Sequence, residues 1–219
     1  MNSLILDVAH GINTPGKQSP DGRHKEWIWS RETARKAMHE LLNTNDLNFH
    51  FHCPYLSYEN EPGLTKRVQI YNQMSKTYDR TLVLPLHNDA APLNICDNEG
   101  WCSSAHGIAF WTSRGETPAD KWATFMYNRF KILMPDEHFR TAYWLGEKEK
   151  IKDPDYEANF TVLAGNKYVK PLYEAILMEV LFQTNKKDVE KLLSEDWNDI
   201  FVSILVSVIV ELFNNIDTL

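Results

Sequence analysis

The 219-residue sequence is poor in cysteine: Cys53, Cys96 and Cys102 are its only three, and no two form a Cys-x-x-Cys pair. An odd count at such spacing excludes a disulfide framework and a thiolate zinc site, and it predicts free thiols, with Cys96–Cys102 as the one bridge left open. Positive charge is also short. Thirty Asp and Glu against 23 Lys and Arg leave a net charge of −7, which argues against a nucleic-acid binder, since such proteins carry basic patches. No apolar run is long enough to cross a bilayer. The stretch from Ile200 to Phe213 is broken by Ser203, Ser207 and Glu211 and reads as a buried packing helix without membrane contact. The start, Met-Asn-Ser-Leu-Ile-Leu-Asp, has no basic segment, long apolar stretch or cleavage site, so no signal peptide is visible. Synthesis in a cytoplasm is expected, and action on a cell wall would need separate release. Internal repeats, low-complexity tracts and linkers are missing as well. A single domain over 1–219, without an appended wall-binding domain, is the expectation. Nothing in the sequence sets an oligomeric state.

What is present is a chain of ordinary globular composition, 43% hydrophobic and 24% charged, long enough to bury a core without staples. Its seven tryptophans suit core packing or a substrate groove. Apolar runs at Leu4–Val8, Thr81–Leu86, Ile108–Thr112 and Ile176–Phe182 predict buried strands, and Leu47–Cys53 alternates as a half-buried one. Thr141–Trp144 and Phe160–Leu163 are shorter strand candidates, with an exposed charged segment between them. Helical spacing predicts helices over Trp27–Leu42, Leu64–Ser75, Pro118–Leu133, Lys187–Leu193 and Trp197–Phe213. Strands alternating with helices predict an α/β fold, a three-layer sandwich with a mainly parallel central sheet and helices on both faces. The loops Gly11–Gly22 and Asn88–Ala105 are long for a compact domain, as functional loops often are.

In open parallel sheets ligands gather at the carboxyl ends of strands. His10 follows the first strand and His87 follows Thr81–Leu86, while Glu179 interrupts the apolar run Leu177-Met178-Glu179-Val180-Leu181. A carboxylate in such company needs a partner or a task. Glu26, opening the first helix after the loop from Gly11 to Gly22, could fold back to His10. Two imidazoles and one carboxylate make a catalytic zinc set with a free fourth position, and a separate carboxylate, Glu179, could move the proton. Spacing alone does not single these residues out from eight histidines and many acids. His24 reads as a solvated loop histidine and His106 as a possible substrate contact. His50 and His52, beside Cys53, read as a polar sheet face, and Arg67 as a structural ion-pair partner. Arg140 reads as a surface arginine or a substrate-carboxylate ligand, and Trp101 as a sugar- or peptide-stacking residue or loop packing.

Five segments in order carry a resemblance. Ile5-Leu6-Asp7-Val8-Ala9-His10-Gly11 is similar to an Asp-Pro-Gly-His-Gly opening, and Asn13-Thr14-Pro15-Gly16 with Gly22-Arg23-His24-Lys25-Glu26-Trp27 to a Pro-Gly turn before a glutamate ligand. Leu64-Thr65-Lys66-Arg67-Val68-Gln69-Ile70-Tyr71-Asn72 and Leu86-His87-Asn88-Asp89-Ala90 follow, then Glu179-Val180-Leu181-Phe182-Gln183-Thr184-Asn185. Together they resemble the zinc-dependent N-acetylmuramoyl-L-alanine amidases of the amidase-3 family, with departures at Val8, Ala9, Tyr71 and Pro85. The resemblance implies Zn2+ at His10, Glu26 and His87, general-base work by Glu179, and peptidoglycan as substrate, cut between muramic acid and L-alanine. A bare domain without an export signal is similar to a phage endolysin. The alternatives are a zinc peptidase or carboxypeptidase acting on wall peptides, and a non-catalytic wall-binding protein on a decayed scaffold.

Overall fold

The computed structural model describes residues 1–145 and 150–219. Its centre is a mixed sheet. Strand β1 (Asn2–Val8) is flanked in parallel by β2 (Phe49–His52) and β3 (Thr81–Asp89). Further along the chain are β4 (Ala109–Thr112), β5 (Ala142–Leu145), β6 (Lys150–Asp153), β7 (Asp155–Glu157), β8 (Glu174–Ala175) and β9 (Leu177–Phe182). The sheet runs β2-β1-β3-β9-β4-β7, with β8 also pairing β3. β9 is parallel to β3, β4 antiparallel to β9, and β7 parallel to β4. β5 and β6 form a separate antiparallel pair.

The expected helices form: α1 (Glu26–Leu42), α2 (Leu64–Ser75), α3 (Pro118–Leu133), α5 (Lys186–Leu193) and α6 (Glu195–Asn215), with a short α4 (Thr161–Ala164) before the last two. α6 packs against α1, α3 and α5, while α2 packs on α4. The layered α/β architecture is thus as expected. α3 starts where its chemistry says it should. Thr117 caps it, Asp120 returns the capping box, and Pro118 occupies the first turn, where a missing N–H costs nothing. α6 is buried through Phe201, Val202, Leu205, Val208, Ile209, Leu212 and Phe213, and no helix among the described residues is long and apolar enough to cross a membrane.

Three expectations need correction. Phe160–Leu163 is not a strand. Adjacent rather than alternate residues, Val162 and Leu163, are buried, the amides of Leu163 and Ala164 donate to Phe160 O, and α4 ends at Gly165 with φ +75°. A Cβ on Gly165 would lie 2.3 Å from Val169 O, so the turn needs glycine. β3 runs three residues past Leu86, so His87 lies inside the strand and does not follow it. The charged segment before Phe160, expected to be exposed, falls partly on 146–149, outside the described residues; of the rest, which holds β6 and β7, Lys152, Glu157 and Asn159 are exposed as expected but Asp155 is only 2% exposed.

Asp155 makes a prediction of its own. Thr112 Oγ1 lies 2.6 Å from Asp155 Oδ2 and 2.9 Å from Asp120 Oδ1. One hydroxyl donates one proton, so Thr112 can satisfy only one of the two carboxylates at a time. Burial, opposed by the Thr112 contact and aided by the charges of Asp153 and Asp120, pushes Asp155 up to about 7. The folded state therefore holds the Asp155 proton more tightly than the unfolded chain does. The associated stability is fully present below about pH 4 and lost as pH rises to about 7. The Asp155→Asn protein, neutral throughout and able to donate to Thr112, should lose this slope and be the more stable of the two at pH 8. Urea melts of both proteins from pH 5 to 8 check it, and parallel slopes would rule it out.

Candidate active site

The ends of β1 and β3 are stitched together by α1. Ser30 accepts from Ala9 N (2.8 Å) and donates to Leu86 O (2.8 Å). Arg31, beside it, donates to Ala9 O and His10 O at 3.0 and 2.8 Å. The chain is thereby held at His10 with φ +46°, a left-handed conformation that a non-glycine residue keeps only when its surroundings enforce it. The loop after β1 returns through an antiparallel bridge between Gln18 and Lys25, and Glu26 N donates to Lys17 O. This brings Glu26, 1% exposed, to the first position of α1 and under both histidines.

Glu26 Oε1 lies 2.9 Å from His87 Nδ1 and 3.4 Å from His10 Nε2, and it accepts from Asn88 N at 3.1 Å. Gln183 Nε2 approaches Oε2 at 3.4 Å. The two imidazoles stand perpendicular, with centroids 5.0 Å apart. One ligand atom from each of His10, Glu26 and His87 falls within 4.8 Å of the others, the one such group among the described residues. Two imidazole nitrogens and a carboxylate oxygen are donors that fit zinc and leave a coordination position open. The charges fit too. Burial would raise the Glu26 carboxyl, but hydrogen bonds and charge from His10 and His87 overcome it and hold the group well below the usual range. Burial would lower His10, yet hydrogen bonds from Glu26 and Glu61 outweigh it and lift the imidazole to about 9. A cluster that binds protons this tightly between acid and imidazole offers the same lone pairs to a cation.

Glu179 sits on β9 directly across from His87 on one side and Ala109 on the other. Its Oε2 is buried without a hydrogen-bond partner among the described residues. Burial raises its pKa well above the usual value, the charges of Asp89 and Glu26 raise it further, and Arg140 opposes them. A half-buried carboxyl with one buried oxygen left unpartnered among the described residues is costly to the fold and suits proton transfer.

The remaining sequence expectations divide. Arg67 is the buried ion-pair partner of Asp7. His50 is exposed and His52 hydrogen-bonds Tyr78 Oη at 2.9 Å, as a polar sheet face would. The three cysteines are free. Trp101 is buried, with Lys186 Nζ of α5 5.4 Å from its ring centre. His106 is exposed and its ring lies 4.6 Å from that of His138. His24 is not solvated. It is 2% exposed and its Nε2 shares a 2.9 Å hydrogen bond with Asn88 Oδ1, while Asn88 Nδ2 donates to Val180 O. The polar loop hid this because its partners come from β3 and β9. Arg140 is not a surface residue either. It bonds Asp89 Oδ2 at 2.7 Å and its guanidinium lies 4.4 Å over the Phe182 ring.

Sequence reasoning missed Glu61, Thr14 and Gln183 around the cluster. Gln183 lies four residues past Glu179 and was within reach. Glu61 belongs to an aperiodic loop, Tyr58-Glu59-Asn60-Glu61-Pro62, with no signal of its own.

The sequence model of a family described as N-acetylmuramoyl-L-alanine amidase matches residues 4–209. Among solved structures, an N-acetylmuramoyl-L-alanine amidase from Clostridium difficile 630 is similar at TM-score 0.73 and 19% identity, over 97% of each chain. The catalytic domain of CwlV, an N-acetylmuramoyl-L-alanine amidase from Bacillus (Paenibacillus) polymyxa var. colistinus, is similar at TM-score 0.70 and 16% identity, covering 98% of this chain and 99% of that one. At such identities the likeness is one of fold. A search of curated proteins returns no match.

Proposed function

This chain belongs to the N-acetylmuramoyl-L-alanine amidase family, and from that premise we propose that it is a zinc-dependent hydrolase of the amide between N-acetylmuramic acid and L-alanine in peptidoglycan. His10, Glu26 and His87 would hold the ion, and Glu179 would act as general base. The observation that carries the reading is the convergence of three ligand atoms within 4.8 Å beside a half-buried carboxyl with one buried oxygen left unpartnered among the described residues. A zinc ion, when bound, polarises a carbonyl and acidifies water.

The chain's own groups supply the rest. Glu179 takes a proton from the attacking water and returns it to the departing alanine nitrogen. Its raised pKa suits the second half, in which the neutral carboxyl gives its proton to the nitrogen. Asn88 N and Gln183 Nε2, both directed at Glu26, orient that carboxylate so that Oε1 faces the two histidines. Asp89, tied to Arg140, contributes negative charge near Glu179 and helps keep it basic.

Purified sacculi test the proposal. The protein should release new L-alanine amino termini from the wall, and a chelator should stop release until zinc is restored. Equal release with and without chelator sinks the metal. Peptide-internal termini in place of L-alanine would indicate a wall peptidase, and binding without any release a non-catalytic scaffold.

Zinc affinity should also depend on pH. His10, lifted to about 9 without metal, must give up one proton to bind, so from this group alone affinity should rise about tenfold per unit as pH is raised toward that value. Calorimetric titrations in buffers of different ionisation enthalpy count the protons, and a count below one at pH 7 contradicts the assignment of His10.

A further inference from the structure

Glu61 lies outside the set of ligand atoms yet is fixed against it. Its carboxylate Oε2 is 3.3 Å from His10 Nδ1, the ring nitrogen on the far side from Glu26. Thr14 Oγ1 donates to the same Oε2. The backbone holds this segment in place independently of the side chain. Ile12 N donates to Glu59 O at 2.8 Å, Glu61 N donates to Asn13 Oδ1 at 2.7 Å, and Arg31 Nε donates to Tyr58 O at 2.9 Å. Contact is closest at Gly11, where an added Cβ would lie 2.2 Å from Glu61 N, so only glycine lets the two loops meet. The loop of 59–61 and the loop after β1 are therefore one docked unit, and the carboxylate is delivered to the back of His10 by main-chain geometry.

We propose that Glu61, seated by Thr14 and by the close approach at Gly11, is the positioning residue for His10: it takes the Nδ1–H and thereby fixes the tautomer and ring angle that present Nε2 to the metal. The inference rests on the zinc reading given above. A histidine ligand with its second nitrogen unclaimed can rotate or bind through the wrong atom, whereas a carboxylate behind it locks the ring and raises its basicity. His87 differs, since its Nδ1 faces Glu26. Of the two imidazoles, His10 is thus the one whose far nitrogen has a carboxylate to hold it among the described residues.

The test is zinc affinity by chelator competition, together with the visible spectrum of the cobalt(II)-loaded protein, for the parent, Glu61→Gln and Thr14→Val. Glu61→Gln should bind zinc about 10–100-fold more weakly and shift the cobalt bands. Thr14→Val, which only loosens the carboxylate, should fall between it and the parent. Parent-like affinity and an unshifted cobalt spectrum in Glu61→Gln overturn the role of Glu61 while leaving the zinc reading intact. A parent protein that binds no zinc instead overturns the zinc reading, and this inference with it.

Discussion

The Glu179→Gln protein should cleave peptidoglycan about 100- to 10,000-fold more slowly than the parent, the span that a positioned general base contributes, while retaining its zinc. Gln has the shape of Glu but cannot accept the proton. The loss should fall on kcat, because Glu179 lies on β9 across from His87 and outside the group of ligand atoms that His10, Glu26 and His87 form. Stability should move the opposite way. Glu179 Oε2 is buried without a partner among the described residues, and the charges of Asp89 and Glu26 act on the carboxyl. Removing an ionisable group from that setting relieves a cost the fold now carries. A variant that is less active yet melts higher is what a catalytic carboxyl leaves behind, whereas a structural carboxyl would lose both. Elemental analysis, sacculus digestion and a thermal melt on one preparation decide it. Full-rate cleavage by Glu179→Gln would move the base to another carboxyl, with Asp89, whose charge acts on Glu179, as the next candidate.

The layered fold was legible because its signals are local. Buried parallel strands read as unbroken apolar runs, and α3 announces both its cap and its proline. The cluster was legible only as candidates at strand ends, since the approach of Glu26 to His10 depends on a returning loop that no period encodes. Where local reading failed, partners from distant elements decided the outcome. The run Phe160–Leu163 is as apolar as a strand, but Gly165 closes it as a turn of helix. His24 looks polar by its neighbours and is buried by Asn88, and Arg140 looks like surface until Asp89 and Phe182 claim it. Glu61 has no signal at all in the chain, because its position is set by main-chain contacts with residues almost fifty positions earlier, of the kind its amide makes to Asn13.

The Asp7–Arg67 pair carries the largest expected effect on stability. Both side chains are 2% exposed. Arg67 Nη1 donates to Asp7 Oδ1 and, at 2.7 Å, to Val8 O, and Tyr71 Oη donates to the same Asp7 oxygen at 2.5 Å. Arg67 Nε and Nη2 have no hydrogen-bond partner among the described residues. Asp7→Ala would leave this buried guanidinium with only the more distant Glu61 carboxylate as counter-charge and should cost about 3–5 kcal/mol, read as a lower denaturation midpoint at unchanged slope. Removing both charges should not. Asp7→Leu with Arg67→Met should recover most of the loss, because a buried pair replaced by apolar groups of similar volume is near neutral. The recovered protein then asks what the pair is for. Arg67 Nη2 also lies 3.9 Å from Glu61 Oε1, and Asp7 stands three residues before His10. If the pair steadies the carboxylate behind that histidine, the double variant should be as stable as the parent and still bind zinc more weakly. Should stability and affinity return together, the pair holds α2 to β1 and nothing more.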